Sequence, residues 1–390
     1  MAVTRLYPAI PESDYLERRT RLQRCLSALD LHGALLLNRA NIAWLTGFRP
    51  SIVAPNMAFV AAYLPAAGEA QLIGMPGLAN LMRESAWGDV TTVDSATAGI
   101  ATLLQLAGPS GRIGMEGSMG LHRAADAAEL AAIEQGIGPT RLTDISPQLW
   151  DCRILKTAWE LAQYRRLGAI TALGFRAGLA MIAPGVSEQE VARAMWGAMI
   201  AAGADAGPNG GQIMVRSGPD RYPVFCGPPT ARRVQTGEQM MLAGGPVLNG
   251  YHIDIHRFAN VGPVSELQAR LYAQSRRGID AALAAIRPGV TTGAIYDAAA
   301  TAMRENAATE AIAWRVFGHG IGLENYEYPM IAAGGDVVLR EGMALAIEIP
   351  AYDVPQFRVQ GAFLEECVLV TADGAENLTS GVPRDLHVVM

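Results

Sequence analysis

Several ionisable residues interrupt strongly apolar stretches in the second half of the sequence. They are Asp254 and His256 in HIDIHRF, His319 in FGHGIGLE, Glu348 in ALAIEIP, and Glu365 and Glu366 in FLEECVLV. A carboxylate is rarely buried alone, so each of these needs a metal, a cationic neighbour or a shared proton. Asp254 and His256 stand two residues apart and would face the same side of an extended strand. Imidazole titrates near neutral pH, which makes His319 and His256 candidates for general acid or base. Cys226 is a candidate nucleophile where a neighbouring histidine lowers its pKa, and an inert thiol where its pocket is apolar. Structural roles stand beside these chemical ones. A carboxylate can be salt-bridged to Arg257 or Arg358, and a lone histidine can be a hydrogen-bonded core residue.

The elements that must carry these residues follow from periodicity and punctuation. From Ser13, DYLERRTRLQRCLSALDLHG places Leu22, Leu26 and Leu29 on one helical face, with Gly33 as a stop. Apolar runs bounded by Gly, Pro or Asn then alternate with helical stretches, which predicts an α/β first domain over residues 1–155. From Thr157 a stretch without proline predicts one long helix up to Pro184 and Gly185. One pattern then occurs twice, IAPGVSEQEVARAMWGAMIAAG from Ile182 and IRPGVTTGAIYDAAATAMREN from Ile286. In each copy Pro-Gly stops a helix, and Ser187 or Thr291 stands where it caps the next. The repeat predicts a pseudo-symmetric domain over residues 156–390, its helices covering a mostly antiparallel sheet.

Composition limits the functions open to such a chain. Its 390 residues are 50% hydrophobic and 17% charged, with a formal net charge of −6 and a mean hydropathy of +0.17. That is the composition of a packed globular protein of more than one domain. Neither the net charge nor any local Lys/Arg block provides a footprint for nucleic acid. The longest uncharged run, Pro50 to Gly68, is broken by Pro55, Asn56 and Pro65, so no membrane span is expected. The four cysteines are far apart and form no CxxC pair. With no signal-peptide pattern at the N-terminus, a cytoplasmic location is expected.

Taken in order, GYHIDIHR, GHGIGLE, LREGMALAIEIP and LEECVLVTADG resemble the creatinase, prolidase and methionine aminopeptidase family, whose fold is called pita-bread. The resemblance covers about Arg153 to Thr379 and, more loosely, the first part of the chain. It implies an α/β N-terminal domain followed by an α+β pita-bread domain with an internal pseudo-two-fold repeat. In metal-dependent members, two Asp, one His and two Glu hold two divalent metals, and Asp254, His319, Glu348 and Glu365 match four of these. The remaining Asp would lie eleven residues before Asp254, where this sequence has Ala243. Two family histidines are also replaced, one by Cys226 and one by Tyr326, while His252 and His256 are added beside Asp254.

Loss of a shared carboxylate removes charge and coordinating oxygens. The resemblance therefore points first to the metal-free creatinase branch. On that reading the chain is a metal-independent hydrolase or lyase, without cofactor, cleaving a C–N bond in a small nitrogenous metabolite. Glu348 and Glu365 would orient a cationic group, His319 or His256 would move the proton, and Cys226 would be the nucleophile. Asp254, His252, Tyr326 and Arg49 would complete substrate binding. The alternative is a metal-dependent Xaa-Pro dipeptidase or aminopeptidase with one ion, such as Mn, Co, Zn or Fe, on Asp254, His319, Glu348 and Glu365. A non-catalytic binding module is a third reading. The resemblance also implies a homodimer in which the segment Gly47 to Met57, holding Arg49, reaches the partner's site; an ordinary surface loop is the other reading of that segment.

Overall fold

Helix starts follow the capping chemistry visible in the sequence. Ser187 and Glu190 form a reciprocal capping box at the head of Glu188–Ala201. Thr157 with Glu160 and Ser265 with Gln268 do the same for Ala158–Met181 and Glu266–Ala285. In the second repeat copy, Thr291 Oγ1 accepts from the Ala294 N–H at 3.2 Å, where Thr292–Arg304 begins.

The computed structural model describes residues 10–49, 59–206, 211–221, 227–304, 315–352 and 361–390. The chain divides into two compact units, Met1–Arg153 and Ile154–Met390. The first is built on a six-stranded mixed sheet, formed by β1 (Gly33–Leu36), β2 (Val60–Pro65), β3 (Gln71–Gly74), β4 (Asp89–Thr92), β5 (Ile113–Met115) and β6 (Leu142–Asp144), in the order β4-β3-β2-β1-β5-β6. Helices α1 (Glu12–Ala28), α2 (Arg39–Thr46), α3 (Ala79–Ser85), α4 (Ala96–Ala107), α5 (Ala127–Ile137) and α6 (Ser146–Ile154) alternate with these strands. Leu35, Ile73, Leu103 and Ile133 are buried in one of its apolar clusters.

The second unit contains two five-stranded sheets where the sequence pattern predicts one. The first joins β7 (Gly211–Ser217), β8 (Gln239–Leu248), β9 (Tyr251–His252), β10 (His256–Val261) and, last in the chain, β16 (His387–Val389). The second joins β11 (Val316–Gly320), β12 (Glu327–Ala332), β13 (Ala344–Tyr352), β14 (Gly361–Thr371) and β15 (Gly374–Asn377). All their pairings are antiparallel except β10 with β16. Each repeat brings its own helix pair. Helices α7 (Ala158–Met181) and α8 (Glu188–Ala201) pack together and on the first sheet, and α9 (Glu266–Ala285) and α10 (Thr292–Arg304) on the second. Phe175, Met195 and Leu242 sit in one core, and Ile279, Met303 and Phe363 in the other. The sheets contact each other through β10 and β14, the strands that carry His256 and Glu365.

HIDIHRF, expected as a single strand, is split. β9 ends at His252 and β10 begins at His256, so Asp254 stands in the gap. Facing the gap, β8 has Gly244 at φ 94°, which interrupts the regular ladder, and Pro246, which has no N–H to donate.

Candidate metal centre

Strand register brings three of the candidate ligands to one face. Glu348 on β13 and Glu365 on β14 are direct cross-strand partners. His319 on β11 pairs with Ala346, two residues from Glu348 and thus on the same face of β13. Asp254 completes the group from the gap between β9 and β10. One ligand atom from each of Asp254, His319, Glu348 and Glu365 lies within 4.8 Å of all the others, and all four residues are buried. Glu366, next to Glu365 but on the opposite face of β14, leaves the site and pairs with Arg257 at 2.7 Å. Of two adjacent acids, one is a candidate ligand and the other a structural ion pair.

A ring of supporting contacts orients the cluster. Asp254 Oδ2 accepts from Asn325 Nδ2 at 2.7 Å and its Oδ1 from the Ile255 N–H at 3.0 Å. His319 Nδ1 lies 2.8 Å from the Gly320 carbonyl oxygen, which can only accept. The Nδ1 proton is therefore fixed, and in the neutral ring Nε2 has the free lone pair. Tyr326 stacks on His319 with centroids 3.8 Å apart and donates from its hydroxyl to Glu348 Oε1 at 3.2 Å. His256 Nδ1 is hydrogen-bonded to Glu365 Oε2, and its ring stacks on Phe363 at 4.2 Å. Arg257 donates to the Glu365 carbonyl oxygen at 2.8 Å, holding that strand from behind.

Electrostatics show how much negative charge the cluster concentrates away from water. Burial, with the neighbouring Glu348 charge, lifts the Asp254 carboxyl to about 6 despite the Asn325 hydrogen bond. Burial, with the charges of Asp254 and Glu348, lifts Glu365 well above the carboxylate range. His256 is held well below the usual imidazole value by burial and nearby arginines, and burial lowers His252 to about 4. His319 moves the other way: burial opposes its charge, but the Glu348 carboxylate outweighs it. Among the described residues, Glu365 Oε1 and His319 Nε2 in this crowded group, and His256 Nε2 beside it, are buried without a hydrogen-bond partner. A divalent cation would relieve the carboxylate repulsion and satisfy Glu365 Oε1 and His319 Nε2. Three carboxylates and an imidazole suit Mn, Fe, Co or Zn. The residues fit a metal.

The structure thus gathers Asp254, His319, Glu348 and Glu365, with His256 and Tyr326 touching them. His252 lies on β9, half-buried, and its backbone N–H donates to the Gly322 carbonyl oxygen at 2.8 Å; it is not among the four. Arg49 belongs to the first unit, and Cys226 and residues 50–57 lie outside the described residues. Asn325 had no place in the sequence reading, although it directly precedes Tyr326, which did. Its partner Asp254 is 71 positions away, and only the fold joins them.

Comparison with known proteins agrees with this geometry. Metallopeptidase family M24 matches residues 162–372, and the creatinase/prolidase N-terminal domain matches residues 18–155. The Xaa-Pro dipeptidase of Lactobacillus helveticus is 30% identical over 247 residues, 63% of this chain and 65% of that protein. A probable dipeptidase PepE of Mycobacterium bovis is 33% identical over 255 residues, 65% of each chain. These alignments span a little under two thirds of the relatives' lengths. Among solved structures, dipeptidase PepE of Mycobacterium ulcerans superposes with a TM-score of 0.84 at 25% identity, covering 98% of this chain and 99% of that one. The Xaa-Pro dipeptidase of Bacillus anthracis gives 0.80 at 23%, covering 96% and 100%. The two-domain architecture with a pita-bread second domain is the one these structures have.

Two expectations are overturned. The relatives carry dipeptidase names, which contradicts a creatinase-like hydrolase or lyase acting on a small nitrogenous metabolite. The expectation of no cofactor fails against the metallopeptidase match and the ligand cluster. The physical reason is that the alanine at 243 removes one donor and leaves the other four converged.

Proposed function

We propose, from the premise that this chain belongs to metallopeptidase family M24, that it is a metal-dependent dipeptidase of the Xaa-Pro type. The observation that carries the reading is the buried convergence of Asp254, His319, Glu348 and Glu365 within 4.8 Å, with Glu365 Oε1 and His319 Nε2 lacking a hydrogen-bond partner among the described residues. Those four residues would hold a divalent ion. When bound, such an ion supplies Lewis-acid polarisation of a peptide carbonyl and acidification of water.

The protein's own side chains set up that chemistry. Gly320 fixes the His319 tautomer, so Nε2 is the ligating atom. Asn325 orients Asp254. Tyr326, half-exposed, lies over His319 and hydrogen-bonds Glu348, so its ring offers a flat apolar face to a substrate entering from solvent. Glu348, whose Oε1 lies between the Tyr326 hydroxyl and His319 Nε2, is the carboxylate we assign to proton transfer. We assign His256 to support of Glu365, because its Nδ1 is bonded to that carboxylate.

We infer also a homodimer, supported by the family resemblance, which sedimentation of the purified protein tests. A cytoplasmic location is supported by Cys25, Cys152 and Cys367, which are free thiols, and fractionation tests it. No helix among the described residues is long and apolar enough to cross a membrane.

The deciding experiment strips the protein with chelator, restores Mn(II), Co(II) or Zn(II) separately, and follows release of free proline from Xaa-Pro dipeptides beside matched dipeptides without proline. Metal-restored cleavage favouring the prolyl series is expected. Full turnover in excess chelator would defeat the metal-dependent reading, and equal cleavage of both series would defeat the prolyl one.

A further inference from the structure

Ala243 on β8 pairs directly with His256 on β10. One side of this cross-strand pair is a methyl group with no donor atom. The other is an imidazole, 3% exposed, whose ring lies flat on Phe363, with 8° between planes, and whose Nδ1 is hydrogen-bonded to Glu365 Oε2. The two Glu365 oxygens are therefore inequivalent: Oε2 is engaged by protein, while Oε1 is buried without a hydrogen-bond partner among the described residues. Each Asp254 oxygen accepts one hydrogen bond, from Asn325 or from the Ile255 N–H, and keeps a second lone pair for an ion.

A carboxylate that bridges two metal ions must offer an oxygen to each, and paired ions in hydrolytic sites sit about 3.5–4 Å apart. Glu365 has one oxygen, Oε1, free of a hydrogen-bond partner among the described residues. A second ion would need Oε2 and so would compete with the His256 contact there, while Ala243 provides no oxygen to compensate. We infer that this chain's centre holds a single divalent ion, with His256 as a positioning residue that ties Glu365 through Oε2 and takes up the place of a second ion. The inference rests on the proposed metal-dependent reading and specifies its stoichiometry. His256 acts through Glu365: by holding Oε2 it leaves Oε1 as the oxygen that would meet the ion.

The test counts ions in the full chain. Protein stripped with chelator is titrated with Mn(II) by calorimetry, bound metal is measured by plasma mass spectrometry, and the Mn(II) spin resonance spectrum is recorded. One equivalent per chain, with the spectrum of an isolated ion, is expected. Two equivalents with a spin-coupled spectrum would overturn the inference and leave metal dependence standing; no uptake would overturn both. The variant Ala243→Asp/His256→Ala restores a carboxylate at 243 and frees Glu365 Oε2. Folded by circular dichroism, it is expected to take up a second equivalent and show spin coupling. One equivalent in that folded variant would overturn the role given to His256, and the wild-type count decides stoichiometry even where the variant does not fold.

Discussion

His319 Nε2 lies 3.5 Å from Glu348 Oε1, at the outer limit of hydrogen bonding, while the opposite nitrogen of the same ring is held by Gly320 at 2.8 Å. The ring is pre-oriented toward a carboxylate without being consumed by it. A cation between them would take both atoms as ligands once the imidazole is neutral. His319→Ala is expected to weaken Mn(II) binding by more than the roughly 10–100-fold that loss of a supporting residue costs. Calorimetry checks this, and unchanged affinity would remove His319 from the centre.

Among the described residues, Asn325 is hydrogen-bonded to the centre only through Asp254 Oδ2. Its replacement by Ala should lower metal affinity by about 10–100-fold through the freed carboxylate. Asn325 is half-buried, so the metal-free protein should unfold at nearly the wild-type urea midpoint. A large loss of stability with intact metal affinity would reverse the assignment from metal support to fold support.

Arg257 is fully buried and pairs with Glu366, which is also fully buried. Removing Arg257 leaves the buried Glu366 charge with only Thr379 and the more distant Arg384, 3.6 Å away, among the described residues, and breaking a buried pair in this way typically costs about 3–5 kcal/mol. Arg257→Met should therefore be strongly destabilised in urea unfolding, and Arg257→Met/Glu366→Gln should recover part of the loss. A single variant as stable as the wild type would show that the pair contributes little.

The Tyr326 hydroxyl and ring make separable contacts. Tyr326→Phe keeps the stack on His319 and loses the bond to Glu348, a change of about 1.5–3 kcal/mol for a hydrogen bond to a charged group. That loss should fall mainly on kcat. Tyr326→Ala should raise KM as well, because the apolar face offered to substrate disappears. Equal kinetics for the two variants would show that the hydroxyl carries the whole effect.

Cys25 on α1 and Cys152 on α6 stand with sulfurs 3.9 Å apart. The hydrogen bond from Cys152 lowers the Cys25 thiol to about 7 and raises Cys152 above its usual value. Below that pH Cys25 is a thiol and unreactive; above it the thiolate dominates. Alkylation of Cys25, followed by mass spectrometry across pH 5–10, should therefore have its midpoint near 7, and Cys152→Ser should shift it. A midpoint at the ordinary thiol value in the wild type would refute the pairing.

Sequence reading goes furthest where the determinants are local. The caps at Ser187 and Thr291 and the stop near Pro184 are set by residues a few positions apart, and the structure has them there. The four candidate ligands are recognisable as acids and a histidine in apolar strands. Their chemistry is misread from sequence, because the alanine at 243 reads as loss of the metal. The sequence does not show that the other four donors still meet within 4.8 Å.

Alternation along LEEC requires Glu365 and Glu366 to face opposite ways, but it does not say which of them faces Glu348. The β13–β14 register decides that, sending Glu366 to Arg257. The gap at Asp254 likewise depends on Gly244 and Pro246 in a neighbouring strand. By itself the sequence determined the types of the ligands and the elements that hold them, through periodicity and capping, which act over a few residues. Only the tertiary structure decided that His256 binds Glu365, since those residues are 109 positions apart and their contact exists only where β10 and β14 meet.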